Sequence, residues 1–321
     1  MYMNYAPIVV FAYKRVDKIS ACLDSLKKNI DADKSDVFIF SDGFKSDKDK
    51  EGVLAVRAYL RELEKNHPFA SLSITEQPSN KGLASSIIAG VTEILKKYEN
   101  VIVVEDDLVL ASDFISYMNN ALTYYKDDMR YGSISAYTDA LPMLKDYPHD
   151  VYVLKKGDCW GWATWKNRWE KADWDMSSFK TYLKDKAKRN EFSHLQYDLE
   201  DQLWWQYEGS SDTWAARWLF SIYMNDMWTV YPRVTRVINE GLDGSGENCD
   251  STTKVIASNS APLEDSSSKA IKNQEVNFEK LLPDNDIQQE IYKLSIPSQD
   301  ECRKYEKARM KRRIKRILGL L

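Results

Sequence analysis

Three consecutive carboxylates, Glu105, Asp106 and Asp107, follow directly on the β-branched run Val101-Ile102-Val103-Val104. Adjacent acids repel one another, so such a cluster is costly unless a cation or a set of hydroxyl donors compensates it. Hard oxygen ligands in a row suit Mn²⁺ or Mg²⁺, and such an ion commonly holds a substrate diphosphate. A solvated acidic turn is the plainer alternative. A second set of acids, Asp158, Glu208, Asp212 and Glu240, is interleaved with aromatics: all 10 Trp lie between Trp160 and Trp228. Most of these rings are expected in the core, but Trp faces also stack on the C–H faces of sugar rings, whose hydroxyls carboxylates bind. The mixture fits a multi-hydroxyl ligand better than a lipid or a flat base. The Gly-rich stretch Asn239–Asn248 could be a plain surface loop or a lid over such a ligand.

The elements that would position these groups can be read from periodicity. Ile8–Ala12, Val37–Phe40 and Leu72–Thr75 read as strands, and the run ending in Glu105 as a strand buried on both faces. Between them lie helical patterns: Val16, Ile19, Leu23 and Leu26; Val53, Val56, Leu60 and Leu63; and Ile87, Val91, Ile94 and Leu95 within residues 83–98. Strands separated by helices predict an α/β fold with a mostly parallel sheet, ligands lying at the carboxyl ends of its strands. Neither GxGxxG after the first strand nor GxxxxGK[ST] occurs, so phosphates must be held some other way.

The chain has 321 residues, 43% hydrophobic and 29% charged, with a net charge of −4, which argues against a nucleic-acid binder. Cys22, Cys159, Cys249 and Cys302 form no CxxC pair, so a reducing cytosol is expected rather than a zinc site or a disulfide framework. The N-terminal residues do not read as a signal peptide, and no apolar run is long enough to span a bilayer. Residues 257–302 are polar and irregular apart from a short helix near Asp286–Leu294. Residues 303–321 carry nine Lys/Arg and one Glu, with Met310, Ile314, Leu318 and Leu321 on one helical stripe, the pattern of a helix that lies on an anionic membrane surface.

The ordered motifs resemble those of GT-A-fold nucleotide-sugar glycosyltransferases, in particular bacterial relatives of the N-acetylglucosaminyltransferase I family, over roughly residues 5–250. They are Phe11-Ala12-Tyr13-Lys14-Arg15, Ser41-Asp42-Gly43, Val103-Val104-Glu105-Asp106-Asp107-Leu108, Cys159-Trp160-Gly161-Trp162 and Ser211-Asp212-Thr213-Trp214. The resemblance implies a nucleotide-sugar-binding half over 1–136 and a Trp-rich half for donor sugar and acceptor over 137–256. It implies Asp107 as the metal ligand for Mn²⁺ or Mg²⁺, Glu105 and Asp106 on ribose and donor sugar, and Asp42 on uracil of a UDP-sugar. Arg15 and Lys81 would assist the diphosphate leaving group, and Trp160, Gly161, Trp162, Trp214 and Glu240 would line the sugar sites. Asp212 would be the base of an inverting transfer to a saccharide hydroxyl, with Glu240 and Glu208 next in line. A lipid-linked acceptor at the cytoplasmic face of a bacterial membrane, in surface polysaccharide assembly, would suit the basic C-terminus. The alternatives are a sugar nucleotidyltransferase, disfavoured because Tyr13-Lys14-Arg15-Val16 has no glycine, and a non-catalytic sugar-binding membrane protein.

Overall fold

The computed structural model describes residues 5–243 and 276–317. Four parallel strands, β1 (Ile8–Ala12), β2 (Asp36–Ser41), β3 (Ser71–Glu76) and β4 (Asn100–Glu105), form one side of an eight-stranded sheet. They are joined by α1 (Val16–Lys27), α2 (Asp47–Lys65) and α3 (Leu83–Leu95). After β5 (Leu108–Leu110) and α4 (Phe114–Tyr125) the sheet continues with β6 (Tyr131–Ser135), β7 (Val151–Leu154), β8 (Trp162–Trp165) and β9 (Trp228–Pro232). The strand order is β3-β2-β1-β4-β8-β6-β9-β7, with β8 and β7 antiparallel to their neighbours. β10 (Val237–Asn239) pairs with β5 as a separate two-stranded ribbon. The α/β fold with a mostly parallel, helix-flanked sheet expected from the sequence is present.

The core follows strand alternation. Ile8, Val10, Ile102 and Val104 face one hydrophobic layer with α1, α2 and α4, whereas Val9, Phe11, Val101 and Val103 face the other with α3. Val101–Val104 are 0% exposed, and full burial of each such side chain stabilises by about 1.5–3 kcal/mol. The helical faces lie close to expectation: Val53, Val56, Leu60 and Leu63 are all buried, but Val16 is exposed and Cys22 completes the α1 face instead.

The second layer also holds the helices of the Trp-rich half: α5 (Lys166–Trp169), α6 (Phe179–Tyr182), α7 (Lys186–Ser193), α8 (Leu199–Tyr207) and α9 (Trp214–Met224). The C-terminal part forms α10 (Asn285–Leu294) and α11 (Gln299–Ile317). The basic tail expected to be free for a membrane is in part an internal packing element. Arg312 is buried, its guanidinium 2.5 Å from Asp201 of α8, and Arg309 binds the same carboxylate at 2.7 Å. Met310 and Ile314 of the apolar stripe point outward and are exposed, while Leu318 and Leu321 lie outside the described residues. No described helix is long and apolar enough to cross a membrane.

Candidate active site

Register brings the chemical groups together. β1 pairs in parallel with both β2 and β4, placing Ala12 beside Ser41 and Phe11 beside Glu105. The segments that follow, Tyr13–Arg15, Asp42–Gly43 and Asp106–Asp107, therefore emerge side by side at the carboxyl edge of the sheet, where open α/β sheets hold ligands. They form one wall of a cleft of about 560 Å³. The opposite wall comes from the Trp-rich half, with Trp160, Asp198, Gln202, Trp205, Asp212 and Trp214. Cleft volumes of this order hold small-molecule ligands.

Arg15 compensates the acid cluster. Its Nη2 lies 2.7 Å from Asp106 Oδ1 and 2.7 Å from Asp107 Oδ2. Burial works against the guanidinium charge, but the two carboxylates outweigh it and push the pKa of Arg15 up. Burial pushes the Asp106 carboxyl up to about 6, against the pull of Arg15. Burial, then the neighbouring Asp107 and Asp106, pushes Glu105 well above the usual carboxylate range. Asp107 lines the cleft with its carboxylate 15% exposed, beyond the more deeply buried Asp106, so it is the member suited to a metal. Among the described residues no three His, Cys, Asp or Glu side chains enclose an ion. A divalent cation here would thus take one carboxylate from the chain and its other oxygens from diphosphate and water, an ordinary arrangement for Mg²⁺. The turn after β10 closes tightly over Asp107: a Cβ on Gly241 would fall 2.0 Å from its Oδ2, so a side chain there would displace the Asp107 carboxylate.

Arg15 and Ser86 line the cleft, and each has a buried polar atom with no partner, Nη1 and Oγ. Buried polar groups are normally hydrogen-bonded, so unpaired ones in a cleft are donors in waiting for a ligand. Ser86 belongs to the first turn of α3, whose N-terminus at Gly82 and Leu83 also opens on the cleft. A helix N-terminus favours phosphate.

Several expected roles change on inspection of the geometry. The Asp42 carboxylate is already occupied: it accepts from the backbone N–H of Gly43, Lys81 and Gly82 at 2.8–3.1 Å and from Asn80 Nδ2. It fastens the Asn80–Gly82 turn to the end of β2 instead of standing free for a base. Lys81 contributes its backbone to this turn and its side chain is exposed outside the cleft. Trp162 is 0% exposed, stacked on Trp169 and Trp214 with ring centroids 5.6 and 5.2 Å apart, so it is core and cannot touch a sugar. Gly161 likewise packs inward, at φ 64° with Val237 and Phe114 over its Cα. Trp160 and Trp214 do line the cleft, the latter from its floor. Glu240 is exposed at the rim, held by its backbone to Asp107 and Lys18, and Glu208 is exposed away from the cleft.

Asp212 faces the mouth of the cleft, its side chain 61% exposed and paired with Arg217 at 2.8 Å. Asp198, which the sequence reading passed over, is a buried carboxylate on the same wall, clamped by Gln196 Nε2 at 2.8 Å and Gln202 Nε2 at 2.9 Å. The pattern Gln-x-Asp-x₃-Gln ahead of an aromatic helix was the only available signal for it. Of the stretch Asn239–Asn248, residues 244–248 lie outside the described residues, while Asn239, Gly241 and Leu242 line the cleft.

The model of the GNT-I family matches residues 1–236. The α-1,3-mannosyl-glycoprotein 2-β-N-acetylglucosaminyltransferase of Arabidopsis thaliana is 33% identical over 89 residues, 25% of this chain and 20% of that protein, so the likeness spans about a fifth of its length. Among solved structures, the mannosyltransferase PcManGT from Pyrobaculum calidifontis, in complex with GDP-Man and Mn²⁺, aligns with a TM-score of 0.33 at 19% identity over 46% of this chain and 38% of its own. S. aureus TarS aligns with a TM-score of 0.29 at 15% identity over 41% of this chain and 21% of its own.

Proposed function

The chain belongs to the GNT-I family, and we propose that it is a metal-dependent, inverting glycosyltransferase that moves a sugar from a UDP-sugar to a hydroxyl of a saccharide. The observation that carries this reading is the cleft itself. One wall holds a compensated acid cluster, two unpartnered buried donors and a helix N-terminus; the other holds Trp faces and two carboxylates. The first suits a diphosphate and the second a sugar acceptor.

In this reading Arg15 and Ser86 donate to the diphosphate, and Asp107 holds Mn²⁺ or Mg²⁺. When bound, that ion neutralises the charge that grows on the departing diphosphate. Arg15, already fixed by Asp106, supports the same oxygens without reorganising. Asp42 acts on the nucleotide indirectly, by holding the Asn80–Gly82 turn. Asp212, open to the cleft mouth, takes the proton of the attacking hydroxyl, and Asp198 with its two glutamines orients the acceptor. A single base on the side opposite the diphosphate gives one displacement, and therefore inversion. A lipid-linked saccharide is the acceptor class we favour.

Incubation with UDP-, GDP- and CDP-sugars with and without Mn²⁺ tests the reading through slow donor hydrolysis. Mn²⁺-dependent release of UDP from one UDP-sugar is expected. Hydrolysis of none of them would overturn it.

A further inference from the structure

A second cleft, of about 710 Å³, lies between the Leu183–Arg189 segment, α8 and α11. Six cationic side chains line it against two carboxylates. Both carboxylates are spoken for: Arg189 donates to Glu200, and Arg309 and Arg312 donate to Asp201. Lys184, Lys186 and Arg313 have no ion-pair partner among the described residues. Like charges gathered in a concave site repel, and an anion with several oxygens relieves them. Beside this cleft, on the solvent side of α11, Met310 is 64% exposed and Ile314 50% exposed. They are one turn apart on the same face and are flanked by the exposed Lys307 and Lys311. Two large apolar side chains within a basic helix face suit the headgroup region of an anionic bilayer better than water.

We propose that this cleft and the outer face of α11 together seat the protein on an anionic lipid surface, with lipid phosphates entering the cleft and Met310 and Ile314 dipping among the headgroups. The ion pairs from Arg309 and Arg312 to Asp201 make the helix part of the folded body, so the seat has a fixed orientation. α8 is a wall shared by two clefts: Asp201 and Trp204 face the basic one, Gln202 and Trp205 the active one. A lipid surface held at the first therefore lies one helix away from the acceptor side of the second. The seating does not depend on the donor or on the chemistry proposed above.

Flotation of the full chain with vesicles of phosphatidylcholine alone, or mixed with phosphatidylglycerol, reads the proposal without any nucleotide sugar. Binding only to the mixed vesicles is expected. Lys184→Gln, Lys186→Gln and Arg313→Gln combined should weaken it roughly a hundredfold, given the typical contribution of a basic residue near such a surface. Met310→Ser with Ile314→Ser should weaken it separately, with circular dichroism and donor hydrolysis unchanged in both. Failure of the full chain to float with mixed vesicles, or undiminished binding by the triple variant, would overturn the proposal. Thermal stabilisation by inorganic pyrophosphate without any vesicle binding would do so too, and would assign the cleft to a soluble phosphate. Loss of donor hydrolysis with vesicle binding intact would count against the catalytic reading alone.

Discussion

The guanidinium of Arg15 stands 2.7 Å from the carboxylate of Asp107, the acid to which the proposed function gives the metal. Arg15 also holds Asp106, so it is a built-in counter-charge for a cluster that would otherwise repel itself. Removing one partner of such a buried pair usually costs about 3–5 kcal/mol, because the other charge is left uncompensated. Arg15→Met should therefore lower the melting temperature in the absence of metal, and Mn²⁺ should restore much of it. The wild type should gain little from Mn²⁺ until UDP is present. Asp107→Asn should lose Mn²⁺-dependent UDP binding and transfer while keeping its fold. Calorimetry showing unchanged UDP affinity in the presence of Mn²⁺ would remove Asp107 from the metal site.

Asp42 carries a different prediction, because its oxygens are filled by the chain itself. Asp42→Ala leaves the Lys81 N–H without its acceptor and strips one of two acceptors each from the Gly82 N–H, which keeps Asn80 Oδ1, and from the Asn80 amide, which keeps the Gly43 carbonyl. Each unmade buried hydrogen bond costs about 1–3 kcal/mol, shared between stability and order in the turn. UDP affinity should fall about tenfold or more, and GDP and CDP affinity by the same factor. A loss confined to UDP would mean that Asp42 reads the base directly after all.

The contrast between Asp42 and Asp107 shows where the sequence is legible. β4 could be read because Val101–Val104 are buried on both faces, and the acids had to appear at its end. The occupation of Asp42 depends on residues 38 to 40 positions away, and nothing in Ser41-Asp42-Gly43 announces it. β8 was hidden for another reason. Trp162-Ala163-Thr164-Trp165 is four residues long, and its tryptophans look like a ligand surface until the sheet covers them. Arg312 belongs to a stretch whose composition suits a solvated or membrane-bound helix, yet Asp201, 111 positions earlier, draws it inside. Local patterns carry elements and their ends; they do not carry partners chosen by the fold.

Asp158 gives a pH prediction. Burial pushes its carboxyl up to about 6, although it accepts from the backbone N–H of Cys159 and Trp160. Its folded-state pKa is thus above the unfolded value of about 3.9. The folded protein holds this proton more tightly, so its contribution to stability is fully present below about pH 4 and is lost as pH rises through about 6. The difference between the two values corresponds to at most about 3 kcal/mol. In urea titrations the stability of the wild type relative to Asp158→Asn should fall between about pH 4 and 7 by up to that amount. A relative stability that rose with pH would show that the two N–H bonds outweigh burial.

Asp198 and Asp212 share the acceptor wall, and their surroundings divide the work between them. Asp212 is exposed at the cleft mouth with one cationic partner, free to meet a hydroxyl that arrives from solvent. Asp198 is buried between two glutamine amides and has fewer ways to move with a proton. Replacement by asparagine keeps the shape and removes the proton acceptor. Asp212→Asn should lower kcat by about 10²–10⁴ with donor affinity close to wild type, the range typical of a lost general base. Asp198→Asn should instead raise KM for the acceptor, with a smaller change in kcat, because a positioning contact is lost in ground and transition states alike. Steady-state kinetics on one short acceptor, with calorimetric UDP binding alongside, distinguish these outcomes. If Asp198→Asn collapsed kcat while Asp212→Asn retained most of it, the buried carboxylate would be the base, and Asp212 would serve only to hold Arg217 at the rim.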